Sequence, residues 1–139
     1  MTAGDEALAA ALAAEHATIF GYGVAGARLA GQHLTAVREA EQVHRARRDT
    51  LLTRLIAASV QPPSAEPAYA LPFPVTDAAG ALRLAVPLEE RTAAVWRHAV
   101  GATDGEQRKL ALDALLDAAV RATRWRVAAG VSPATVPLP

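Results

Sequence analysis

Glu41 and His44 stand three residues apart in the segment Glu41-Gln-Val-His44. On a helix that spacing puts a carboxylate and an imidazole one turn apart on one face, the arrangement by which bundle helices present ligands to Fe or Mn. The pair alone is a weak signal, because it arises often by chance. Two further acids add to it. Glu15 lies inside the apolar series Leu8, Leu12, Glu15, Ile19, Tyr22, Gly26, Leu29, and Glu89 inside Leu82, Val86, Glu89, Ala93, Trp96, Val100. Both series step by three or four residues, so each acid falls on the face that a helix turns to a core. The segment around Glu41 reads Leu34, Val37, Glu41, His44, Arg48, Leu51, Leu55 on the same spacing. Three acids, an imidazole and a guanidinium on buried faces can converge on a metal ion, or they can satisfy one another as a polar layer.

The elements that must position these groups are helices. Of 139 residues, 35 are Ala and only six are aromatic, a composition that favours helix and close helix approach. One domain, 1–139, is expected from the length. There is no Cys, which excludes disulfides and thiolate metal sites, and the 14 basic residues balance the 14 acidic ones, which leaves no global field for nucleic acid or an anionic membrane. The longest run without a charged residue, Val127–Pro139, holds three prolines and is too short to span a bilayer, and the N-terminus lacks the basic segment of a signal peptide. A cytoplasmic protein with no membrane and no nucleic-acid partner is the expectation.

Cap signals and breakers divide the chain into helices of about 3–30, 32–59, 76–100 and 104–130. Thr2 and Asp5 form a potential capping box, Gly31 marks a turn, Thr76 can cap the third helix, Asp104 to Gln107 can box the fourth, and Gly130 stops it. Pro87 should kink the third helix or start its main segment. Five of the nine prolines fall between Val60 and Pro74. That stretch reads as an extended link which, in polyproline II geometry, reaches about 46 Å, enough to cross a bundle end to end. The short connections make two antiparallel hairpins. Counting outward from their turns sets Glu15 level with Glu41 and His44, and Glu89 level with Asp117. The link then brings both hairpins into register, with all four candidate residues in one mid-bundle layer.

In Ala-Glu15-His16-Ala, Glu41-Gln-Val-His44-Arg-Ala-Arg-Arg-Asp49 and Leu88-Glu89, the chain resembles the ferritin-like superfamily, and more closely a bacterial branch of it of unknown function. The likeness covers nearly all four helices. It implies an all-α, ferritin-like four-helix bundle of two antiparallel hairpins joined by a long Pro-rich crossover. It also implies a carboxylate-bridged metal site to which Glu15, Glu41, His44 and Glu89 correspond. The fourth helix departs from that pattern. Asp113-Ala-Leu-Leu116 and Asp117-Ala-Ala-Val120 carry no His three residues after the acid, and the buried stripe there reads as Leu112, Leu115, Ala119, Ala122. Asp113 and Asp117 then face solvent, Asp117 pairing with Arg121.

The first expectation is therefore a non-catalytic binding or assembly module, without a cofactor, in which Arg48 and Tyr22 satisfy Glu15, Glu41, His44 and Glu89. The alternative is an Fe- or Mn-dependent oxidase or metal-storage protein built on the same four residues. A homodimer is expected from Trp125, Val127, Val131, Val136 and Leu138, which offer more apolar surface than one patch of a monomer should carry. A further partner, small molecule or protein, is left open. Trp96 and Trp125 read as core or interface anchors, and His16, His33 and His98 as surface residues. The basic runs near Arg47 and Arg124 read as solvated helix faces, and the Gly21-x-Gly23-x-x-Gly26 spacing as close helix packing, because no strand precedes it.

Overall fold

The computed structural model describes residues 1–139 and contains four helices and no strand: α1 (Ala3–Gly26), α2 (Gly31–Ala57), α3 (Ala78–Ala102) and α4 (Gly105–Ala129). The expected helices are all present, and their ends differ for local reasons. α1 opens on a capping box in which the Thr2 hydroxyl accepts from the Asp5 N–H and the Asp5 carboxylate from the Thr2 N–H, both at 3.0 Å. Those bonds hold the Asp5 carboxyl below its ordinary range, the one to the Thr2 backbone most strongly. α1 stops at Gly26 rather than Ala30, and the reversal into α2 uses a positive φ of 61° at Gly31, where a Cβ would be strained. α2 ends at Ala57. There the Val60 N–H bonds back to the Leu55 carbonyl at 2.9 Å and closes the last turn ahead of Pro62.

Asp77, not Thr76, caps α3, its carboxylate accepting from the Gly80 N–H at 2.7 Å. α3 then continues through Pro87 as one element rather than restarting there. The proline removes one donor, and Arg83, whose carbonyl loses its partner, is an exposed residue. Asp104 is the N-cap of α4 but makes no side-chain cap bond, so the expected box with Gln107 does not form.

α1 packs against both α2 and α3, and α3 against α4. Glu15 meets His44 while Gly26 meets Arg38, so α1 and α2 run antiparallel. Glu15 meets Trp96, Thr18 meets Thr92 and Gly21 meets Leu88, so α3 is also antiparallel to α1. A Cβ on Gly21 would lie 2.5 Å from a Leu88 methyl, which is the close approach expected of this glycine. Between α2 and α3, Val60 packs beside Leu55, the Pro63 carbonyl bonds to His16 Nε2 at 3.1 Å, and the Tyr69 ring lies 5.7 Å from that of Phe20. Leu71, Phe73 and Val75 then cover the apolar cluster around Tyr22.

The core has two parts. Leu8, Leu12, Leu51, Leu55, Trp96 and Leu115 anchor one cluster, and Tyr22, Val37, Leu84, Leu88 and Trp125 the other. Glu15, His44 and Glu89 lie between them. α1 is long and apolar enough, by length and composition, to cross a membrane, and half of that apolar window is buried inside the bundle.

Candidate functional site

The mid-bundle layer is centred on His44, which α2 presents to the core with no exposure to solvent. Its Nδ1 lies 2.5 Å from Glu15 Oε2 on α1, and its Nε2 lies 2.8 Å and 3.1 Å from the two carboxylate oxygens of Glu89 on α3. Both acids are fully buried. Each has a second donor. Trp96 Nε1 donates to Glu15 Oε1 at 2.8 Å, and the Tyr22 hydroxyl donates to Glu89 Oε2. Trp125 Nε1 in turn donates to the Tyr22 oxygen at 2.9 Å, and the Tyr22 and His44 rings stack with centroids 5.6 Å apart. One continuous path of hydrogen bonds thus runs Trp125, Tyr22, Glu89, His44, Glu15, Trp96.

Beside this path, Thr92 donates to the Leu88 carbonyl at 2.8 Å, which leaves the Thr18 hydroxyl to donate to Thr92 at 2.9 Å. α4 contributes Arg121, whose guanidinium grips Asp117 at 2.5 Å and 3.1 Å and stands 3.9 Å from Glu89 Oε1. Arg47 reaches across from α2 to the same Asp117 at 3.1 Å.

Burial by itself would push the His44 imidazole toward its neutral form. The Glu89 charge, the Glu15 and Glu89 hydrogen bonds and the Glu15 charge outweigh it and hold the pKa up at about 9, from an ordinary 6.5. Both ring nitrogens therefore carry protons at neutral pH, which matches a carboxylate on each side. Burial pushes the Tyr22 phenol well above its usual range, aided by the Glu89 charge, so the hydroxyl remains a donor. Burial would raise Asp117, but the Arg121 bond and charge, with Arg47, hold it below the usual carboxylate range.

Of the five residues singled out in the sequence, three meet: Glu15, His44 and Glu89. Glu41 does not join them. It turns toward Arg38 and Arg45, at 3.5 Å and 3.7 Å, although it sits one turn before His44. Arg48 does not join either, which corrects the expected polar-core partner. Its Nε bonds the neighbouring Asp49 at 3.0 Å and its side chain is 30% exposed. At 100° per residue Arg48 projects about 40° from His44, at the edge of the buried stripe, where a charged side chain reaches water more cheaply than it desolvates; Glu41, about 60° to the same side, stays buried against its two arginines. The cations of the layer are His44 itself and Arg121.

The α4 stripe also differs from expectation. Ala111, Ala114, Leu115, Ala118, Ala122 and Trp125 are buried, whereas Leu112 is 43% exposed. Asp113 faces solvent and pairs with Lys109, and Asp117 is half-buried between two guanidiniums. Trp125 is inside, bonded to Tyr22, so it is not part of an outer surface. No three His, Asp or Glu side chains are grouped so as to hold a metal ion. The two indoles, expected as packing anchors, are also hydrogen-bond donors within the layer. Trp96, about two turns beyond Glu89 on the same stripe, carried the one available signal.

A protein-family model described as a domain of unknown function (DUF4439) matches residues 7–139. The crystal structure of a conserved hypothetical protein, rv2844, from Mycobacterium tuberculosis is similar to this chain at 42% identity with a TM-score of 0.87, over 91% of this chain and 96% of that one. Among curated proteins none matches.

Proposed function

The chain belongs to the DUF4439 family, and from that footing we propose that it is a ferritin-like bundle whose central layer is held by a proton instead of a metal, serving as a non-catalytic binding and assembly module in homodimeric form. The antiparallel registers of α1 with α2 and of α1 with α3 support the ferritin-like connectivity, in which the Pro-rich link crosses the bundle lengthwise. The observation that carries the reading is the clamp on His44. An imidazole ligates a metal through a lone pair, and here both nitrogens face carboxylate oxygens within 2.8 Å.

The remaining donors do not fit a di-metal centre either. Glu41 faces two surface arginines, Asp117 is shared by Arg47 and Arg121, and the Arg121 guanidinium already stands beside Glu89. Assembly is supported by a separate feature. Leu112, Leu116, Val120 and Val127 form an exposed stripe on the outer side of α4, and Val136 and Leu138 in the tail are exposed as well. An exposed apolar stripe of that kind is characteristic of an interface.

Purified protein incubated with excess Fe(II) or Mn(II) is the test, read by elemental analysis, an oxygen electrode and sedimentation. The proposal expects no stoichiometric metal, no rapid oxygen consumption and a two-subunit mass that Leu116→Glu reduces to one. Two equivalents of iron per chain, lost on Glu41→Ala or His44→Ala, would replace it with the oxidase reading. A monomer at every concentration would remove the assembly role.

A further inference from the structure

Three of the four lateral seams of the bundle are closed by direct helix packing, α1 on α2, α1 on α3 and α3 on α4. The fourth, between α2 and α4, has no such backbone approach and is spanned near its middle by the Arg47–Asp117 bond. On the Tyr22 side of that bond the seam opens into a cleft of about 360 Å³, within the size range of small-molecule sites. Small side chains create the depth. Ala36 and Ala40 of α2 and Ala128 of α4 leave the space, Val43 adds an apolar wall, and the buried Trp125 forms the floor.

The rim is charged. Arg121 and Arg124 line the cleft from α4, and His33 and Glu39 from α2. Arg121 and Arg126 each hold a carboxylate, whereas Arg124 is exposed and enters no ion pair. Arg121 is neutralised by Asp117 and stands beside Glu89, so the one guanidinium on the rim free to take an anion over the apolar floor is that of Arg124. We propose that this cleft binds a small carboxylic acid with an apolar body, its carboxylate on Arg124 beside Arg121 and its body between Ala36, Ala40 and Trp125. The ligand then sits one side chain from the central layer, since Trp125 donates to Tyr22 and Arg121 neighbours Glu89.

Octanoate and phenylacetate, an alkyl and an aryl acid, are suitable probes. Titration is followed by ¹H–¹⁵N spectra of the intact protein, in which the Trp125 indole N–H reports on the cleft and the Trp96 indole N–H, bonded to Glu15, is the reference. Saturable movement of the Trp125 signal is expected with one acid or both, while Trp96 stays still. Because the rim selects by charge, Arg124→Glu should weaken binding about tenfold and Glu39→Gln should tighten it. Ala36→Trp fills the cleft and should abolish binding. Both rim residues are exposed, so those two variants test the site without disturbing the core. No saturation by either acid in the millimolar range, or saturation indifferent to the sign of the charge at position 124, overturns the assignment.

Discussion

Raising the pH from about 6 to about 10 should destabilise the fold by about 3 kcal/mol, through His44 alone. In the unfolded chain the imidazole titrates at its ordinary 6.5, and in the folded chain it holds its proton up to about 9. Below 6.5 both states are protonated and the full stabilisation is present. Between the two values only the folded chain retains the proton, so each pH unit removes about 1.4 kcal/mol. Above about 9 the contribution is gone, and two buried carboxylates face a neutral ring. Urea unfolding followed by far-UV circular dichroism, repeated across this pH range, measures the decline as a falling midpoint. His44→Gln removes the titrating group and should lie lower at neutral pH with a flat profile through the same interval. A wild-type stability that is level from about pH 7 to about pH 9, or a fall that His44→Gln reproduces, refutes the charged-imidazole account.

Two substitutions separate the groups that hold the layer from those that stand near it. Trp96→Phe takes the 2.8 Å donor from Glu15 Oε1 in a site closed to water, and loss of a hydrogen bond to a buried carboxylate should lower the unfolding free energy by about 2 kcal/mol in the same urea assay. Arg48→Met should change it by less than about 0.5 kcal/mol, because Arg48 is partly exposed and its partner Asp49 is 64% exposed; a loss of several kcal/mol would return Arg48 to the layer.

The periodicity of α1, α2 and α3 was legible because apolar residues recur on those helices with one obvious face. Counting from two tight turns was enough to set Glu15 and His44 level, since a hairpin loop of a few residues leaves little freedom for slippage. The same count made Glu41 an equal candidate, for pattern locates a Cα on a stripe but does not say whether a long side chain at its margin turns in or out. Neighbouring charges decide that, and Arg38 and Arg45 draw Glu41 outward. α4 was the hardest to read. Leu115 projects only about 60° from Leu112 and about 100° from Leu116, and alanine fills much of the remainder, so a stripe through Leu112 and one through Leu115 look alike. That ambiguity concealed Arg121, the cation that the layer does use. The indole donors were hidden for another reason: a tryptophan on a buried stripe reads as bulk, and only distances show that its N–H has a carboxylate to reach.

The placement of the polar layer between two apolar clusters bears on how the helices find their alignment. Alanine occupies nine of the 24 residues of α1, and one alanine-rich surface slides over another with little change in packing. A slip of one turn, about 5.4 Å, would carry Glu15 away from His44 and Trp96 and separate its buried carboxylate from both donors. A buried charge without its partner is penalised by about 3–5 kcal/mol, far more than a shifted alanine contact. The clamp on His44 therefore acts as a detent, selecting one axial setting from several that hydrophobic packing alone would leave nearly equal in energy.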